Sequence, residues 1–251
     1  MELIQKYFGI KNLSLNEQRK FLLKPNIFVC PEDISPEDHS ELIDNFLGLK
    51  ANLIEAELLN RAKKILENGS VKNWGQKLHG TQTWIGLHPQ TLQTPYSEMW
   101  EMVQILKPKS NSKVVDLGAG YGRMGIVLNH FDPSIEFIGY ELVPERVVEG
   151  NRFLGQFQCQ KAQIKEQDLF HPDFILPRAD YYFMYDYGTV ENIRKTLFDL
   201  CVLEHKFFVI AKGRSSRSII DLNLPWLSQV HQPLHLKSYS IYSNFTDIKG
   251  I

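Results

Sequence analysis

The sequence predicts an α/β protein: a mostly parallel open sheet with helices on both faces and an antiparallel C-terminal edge, preceded by an N-terminal helical module. Three observations predict it. From Lys113 onward, short apolar runs alternate with amphipathic ones, the rhythm of parallel strands joined by crossover helices. Before residue 94 the amphipathic runs follow one another with no strand-rich stretch between them. Between the two lies a glycine loop, Gly118-Ala119-Gly120-Tyr121-Gly122, directly behind an apolar run that ends in an acid. Open α/β sheets bind ligands outside the carboxyl ends of their strands, where such a loop sits.

Composition is compatible with this. The 251 residues are 43% hydrophobic and 12% aromatic, with a formal net charge of −1. At about 150 residues per domain that is one large or two small domains, read here as 1–93 (helical module and linker) and 94–251 (ligand-binding domain). So many aromatics and so little net charge exclude disorder, and there is no bulk charge to coat nucleic acid or an anionic membrane. Cys30, Cys159 and Cys201 are far apart and form no C-x-x-C or Cys/His cluster, so three reduced thiols and no metal site are expected. The start, Met1 to Lys6, lacks the basic-then-apolar order of a signal peptide. The apolar stretch 21–30 is broken by Lys24, Pro25 and Asn26 and is too short to span a bilayer. A cytoplasmic location is the expectation.

Element by element, Ser35-Pro36-Glu37-Asp38 starts a helix: a hydroxyl cap, proline at the first helical position, and acids at the positive dipole end. A second helix covers about 51–66 and stops at Asn68-Gly69. Residues 79–94, with Gly80, Gly86 and Pro89, read as a connecting loop. Thr94-Pro95 opens a helix that runs to about Leu106. Strands are expected at 114–117, 135–141, 162–164, 181–185 and 207–211, with helices at 121–129, 144–157 and 190–203. Partial alternation over 234–242 supplies the antiparallel edge.

A dinucleotide site is the first ligand class to weigh. Its G-x-G-x-x-G pattern fails here, because the position three after Gly120 is Arg123. Asp116-Leu117-Gly118-Ala119-Gly120-Tyr121-Gly122 resembles instead the first motif of the class I S-adenosylmethionine-dependent methyltransferases. The resemblance covers about 94–245. It implies a Rossmann-like methyltransferase sheet, S-adenosyl-L-methionine as methyl donor, and a loop that wraps the donor's methionine part. Glu141 ends the next strand, 19 residues past Gly122; the resemblance makes it the ribose-binding acid. Asp168, with Leu169 beside it, matches the acid near the adenine amino group. Tyr185-Asp186-Tyr187 ends the fourth strand, where the family places residues beside the methyl group.

Within that family the chain is similar to the non-SET histone lysine methyltransferases and to the small lysine methyltransferases of the ATP-synthase c subunit. Both have an N-terminal arm with a tyrosine before the glycine loop. The resemblance therefore favours a protein acceptor, lysine first, with a small molecule as the alternative and nucleic acid third. A protein that binds the donor without transferring the methyl is the reading from another class. Candidate catalytic residues are Asp186, Tyr187 and Tyr185, since an amine must lose a proton before attack; Asp186 as a cap of the next helix, beginning near Thr189, is the competing reading. Tyr96 and Glu98 are candidate lid residues or an exposed first turn. Arg123 meets the donor's carboxylate or an acid of the module. Trp84 faces the acceptor or packs on the module. Lys212 to Arg217 is an anion-holding helix start or a solvated turn.

Overall fold

The computed structural model describes residues 14–24, 26–67 and 83–248. The Asn68-Gly69 helix stop, the start of the connecting loop and the Met1–Lys6 segment lie outside the described residues. Three helices come first: α1 (Leu15–Leu22), α2 (Pro36–Leu47) and α3 (Ala51–Glu67). Ser35 caps α2 by accepting from the Asp38 N–H at 3.0 Å, and Gly48 closes it in a left-handed conformation. The expected loop before residue 94 contains a single turn of helix, α4 (Pro89–Leu92), opened by the His88 ring, which accepts from the Gln90 N–H. Helix α5 (Tyr96–Leu106) begins one residue later than expected. Its cap position is Pro95, not Thr94, and the Thr94 hydroxyl is buried without a partner.

The remainder alternates as expected: β1 (Lys113–Leu117), α6 (Arg123–Phe131), β2 (Glu136–Glu141), α7 (Pro144–Gln156), β3 (Ala162–Glu166), β4 (Tyr181–Tyr185), α8 (Val190–Cys201), β5 (Phe208–Lys212), α9 (Arg214–Asn223), α10 (Pro225–Ser228), β6 (Leu234–His235) and β7 (Tyr239–Ser243). The strands form one seven-stranded sheet in the order β3-β2-β1-β4-β5-β7-β6. Strands β1 to β5 are parallel, and β7 runs antiparallel to both β5 and β6. Chain order reverses between β1 and β4. This is the topological switch point, and the crevice beyond their carboxyl ends is where such a sheet takes a ligand.

Side chains alternate between the two faces, as strand geometry requires. Val114, Tyr181, Phe183 and Ile210 point into one core; Val115, Tyr182, Met184 and Val209 point into the other. The first core also contains Ile43 and Leu47 from α2 and Phe28 from the turn before it. Each of these three is fully buried, worth about 1.5–3 kcal/mol relative to exposure. The N-terminal helices thus share a core with the sheet on either side of position 93/94.

Two ion pairs and a hydrogen bond to a carboxylate reinforce that packing. The guanidinium of Arg123 in α6 pairs with Asp44 of α2. Arg146 in α7 holds Glu55 of α3, with Nε at 2.7 Å and Nη2 at 3.1 Å. Glu149 accepts from the Lys50 N–H at 2.8 Å while also binding Arg152. Among the described residues no helix is long and apolar enough to cross a membrane.

Candidate active site

The glycine loop leaves β1 and turns at Gly118. Its φ of 91° is one that L side chains rarely adopt, and a Cβ there would stand 2.5 Å from the Tyr187 Cβ. The loop is tied down by its own N–H groups. Those of Gly118 and Ala119 donate to the Tyr140 carbonyl at 2.9 and 2.8 Å, that of Gly120 to Glu141 Oε2 at 3.0 Å, and that of Gly122 to the Ala119 carbonyl. This differs from a phosphate cradle, in which such N–H groups are turned toward the ligand.

Beside the loop lies a cleft of about 700 Å³, part of it open to solvent. It brings together five of the residues expected at the donor: Gly118, Gly120, Glu141, Asp168 and Leu169. Glu141 is buried, and its oxygens accept from Gly120 N–H and, at 2.9 Å, Val143 N–H. A carboxylate oxygen accepts about two hydrogen bonds, so each retains a lone pair for a vicinal diol. Asp168 closes a turn by accepting from the Phe170 N–H at 2.8 Å.

Asp116 sits behind the loop. It is fully buried, and its Oδ1 has no partner. Burial, with the charge of Glu141 second, pushes its pKa up to about 8. The folded protein then keeps a proton that the unfolded chain releases near pH 4, so this group makes stability fall as pH rises toward 8. His39 contributes in the opposite direction, burial holding it down to about 4, so its contribution is lost as pH falls below about 6.5. We expect the urea midpoint of Asp116→Asn to gain on that of the wild type between pH 6.5 and 8; equal changes would show that Asp116 is already ionised.

Other expected residues lie elsewhere. Tyr96 is fully buried, stacked on Phe28, and its hydroxyl donates to Asp44 Oδ1 at 3.0 Å, so it is no lid. Arg123 meets the acid of the module, Asp44, together with Gln90 Oε1 at 2.7 Å. Glu98 pairs with Lys212, whose ammonium lies 5.2 Å from the Tyr185 ring centre. Ala119 and Gly122 do not line the cleft; Gly122 instead starts α6, packed where a Cβ would meet Ile164 at 2.7 Å. Of the three thiols, Cys201 is exposed and Cys159 buried.

The catalytic assignments change most. Asp186 has a φ of 30°, which turns its carboxylate away from the cleft to the N-terminus of α9. There it accepts from Ser215 N–H at 3.2 Å and from Ser216 N–H and Oγ–H, both at 2.8 Å. It caps that helix rather than α8, which Thr189 caps, and so also fills the anion position expected at 212–217. Asp186→Ala is therefore expected to lower stability by about 1–2 kcal/mol in urea and to leave ligand affinity within about twofold; a selective loss of ligand binding would restore it to the cleft. Tyr187 presents its ring to the cleft, stacked on Phe170, but its hydroxyl donates to Thr196 Oγ1. Burial raises its pKa, so it stays protonated. Tyr185 lines the cleft, and its hydroxyl donates to the Thr91 carbonyl at 3.3 Å.

Arg146 and Gln93, neither among the residues expected at the site, both line the cleft. Arg146 Nη1 is 3.6 Å from Glu141 and donates to the Thr83 carbonyl at 3.0 Å. Its place in the first turn after Glu141 was the available signal. Trp84 also lines the cleft and is 40% exposed.

Fold and cleft together define a Rossmann-like α/β protein with a cleft at the switch point. No protein-family model matches the chain, and no curated protein matches it. Solved structures similar to it include an RNA methyltransferase from Salinibacter ruber in complex with S-adenosyl-L-homocysteine, at 17% identity over 60% of this chain and 91% of that one, TM-score 0.44. An S-adenosylmethionine-dependent O-methyltransferase from Thermotoga maritima aligns at 13% identity over 60% and 65%, TM-score 0.47. A precorrin-6y C5,15-methyltransferase from Geobacter metallireducens aligns at 16% over 61% and 88%, TM-score 0.45. At such identities and TM-scores the likeness is one of strand and helix arrangement and does not bear on activity.

Proposed function

We propose that this chain is an S-adenosylmethionine-dependent methyltransferase. One observation carries the reading: the N–H groups of Gly118, Ala119, Gly120 and Gly122 in the glycine loop are paired within the chain, while the carboxylates of Glu141 and Asp168 are offered to the cleft. Arg146 is the cation among the described lining residues, and Glu55 and Glu141 offset it. Such a lining suits a ligand with hydroxyl and ammonium donors and a positive charge, and it repels a pyrophosphate.

Bound there, S-adenosylmethionine supplies an electrophilic methyl group on a cationic sulfur. Glu141 is placed to hold the ribose hydroxyls. Asp168, Leu169 and Phe170 form the adenine end. Gly118 and Gly120 let the methionine part approach the backbone. Catalysis by this chain is then largely alignment of acceptor and methyl. Tyr185 is no base there, because burial and the nearby acids Asp186, Glu98 and Glu37 raise its pKa, and its hydroxyl proton is held by the Thr91 carbonyl.

The acceptor proposed is a protein amine, with lysine first. The rings of Trp84 and Tyr185 at the cleft offer faces to methylenes and to an ammonium. A small-molecule acceptor is the second reading. What favours it is the turning away of Asp186, since an acceptor with a free lone pair needs no base. Incubation with methyl-labelled donor and a cell lysate tests both. Label in protein supports the first reading and label in small molecules the second. Label in RNA overturns both acceptor readings. Donor binding with no label makes the chain a binding protein.

A further inference from the structure

The segment between the module and the sheet is held in place residue by residue. Gln90 Nε2 donates to Asp44 Oδ2 at 3.3 Å, and Gln90 Oε1 accepts from Arg123. Arg123 Nη1 donates to the Thr94 carbonyl at 3.3 Å. From the sheet, the hydroxyl of Tyr185 donates to the Thr91 carbonyl. These ties fix the residue between them, Gln93, against the glycine loop: its Cγ lies 3.8 Å from where a Cβ on Gly120 would stand.

Gln93 lines the cleft and is 7% exposed. Its Nε2 donates to the Pro89 carbonyl at 3.4 Å. Its Oε1 is buried and has no partner. An unpaired buried acceptor is costly, and a fixed side chain that keeps one beside a ligand cleft has a donor from the ligand as its natural partner. Gln93 stands against the part of the loop assigned to the methionine end of the donor, and that end carries an ammonium group.

We propose that Gln93 Oε1 accepts a hydrogen bond from the α-ammonium group of the bound donor, and that the Asp44–Arg123–Gln90 network is what positions it. The proposal rests on the cofactor reading above. It makes the N-terminal helices part of ligand recognition through a side chain that belongs to none of the sheet's strand ends.

Two probes separate this role from general packing. S-Adenosylhomocysteine carries the ammonium; methylthioadenosine keeps the nucleoside and lacks the amino-acid end. Calorimetric titration of the full chain should show Gln93→Leu binding S-adenosylhomocysteine about tenfold to a hundredfold more weakly than the wild type, the range of one hydrogen bond to a charged group. Its affinity for methylthioadenosine should be unchanged, which also reports an intact cleft. Gln93→Glu keeps an acceptor and should retain S-adenosylhomocysteine affinity. The proposal is overturned if Gln93→Leu binds S-adenosylhomocysteine as the wild type does, if it loses both ligands equally, or if Gln93→Glu is as weak as Gln93→Leu. Failure of the wild type to bind either probe would instead remove the cofactor reading itself.

Discussion

Asp44→Ala is expected to destabilise the fold by about 3–5 kcal/mol, enough to remove much of a small protein's stability. The reason is the partner it leaves behind. Arg123 is 1% exposed, and its charge is compensated by the Asp44 carboxylate. The same carboxylate accepts from Tyr96 and Gln90. Removing it strands a buried guanidinium and two further donors. Urea unfolding measures the loss. An Asp44→Leu/Arg123→Met double variant should recover only the part due to the stranded charge, because apolar side chains can replace a buried pair at little net cost while Tyr96 and Gln90 still lack their acceptor. A loss under about 1 kcal/mol in the single variant would mean that the pair is solvated and does not bind the N-terminal helices to the sheet.

Glu141→Ala should weaken S-adenosylhomocysteine binding by more than about a hundredfold. Two hydrogen bonds from ribose hydroxyls to a buried carboxylate account for roughly that much. The substitution also frees the Gly120 and Val143 N–H groups. The loop then loses the contact that fixes its conformation beside the ligand. The readout is thermal stabilisation by S-adenosylhomocysteine, present in the wild type and abolished in the variant. Glu141→Gln keeps one oxygen acceptor and should fall between the two. A full stabilisation in Glu141→Ala would remove Glu141 from the site.

What the sequence displayed and what it hid follow from how far each interaction reaches. Strands such as Tyr181–Tyr185 are short apolar runs, and burial on both faces makes such runs visible without any partner. Gly118, Glu141 and Asp168 were visible for a related reason: each stands at a strand end, and the spacing between them is local. Asp44 and Glu55 were not visible. Each is an acid on an amphipathic helix and reads as solvent-facing, yet their partners Arg123 and Arg146 lie 79 and 91 residues away. The same distance misled the reading of Tyr96, whose hydroxyl answers to Asp44, 52 residues earlier. Asp186 was misread through backbone geometry: strand-end position suggested the cleft, and a positive φ sent the carboxylate to α9. Gln93 sits in a Thr- and Gln-rich stretch that reads as a solvated loop; only the packing of that stretch against Gly120 gives it a role.

The central claim is that the cleft takes a ligand rich in donors and poor in anionic groups. Parallel calorimetric titrations of the wild type with S-adenosylhomocysteine and with NAD test it most directly. The account predicts one S-adenosylhomocysteine bound per chain and no heat from NAD, because the N–H groups of the glycine loop are already paired and Glu141 and Asp168 repel a pyrophosphate. Binding of NAD, or no binding of S-adenosylhomocysteine, would contradict it.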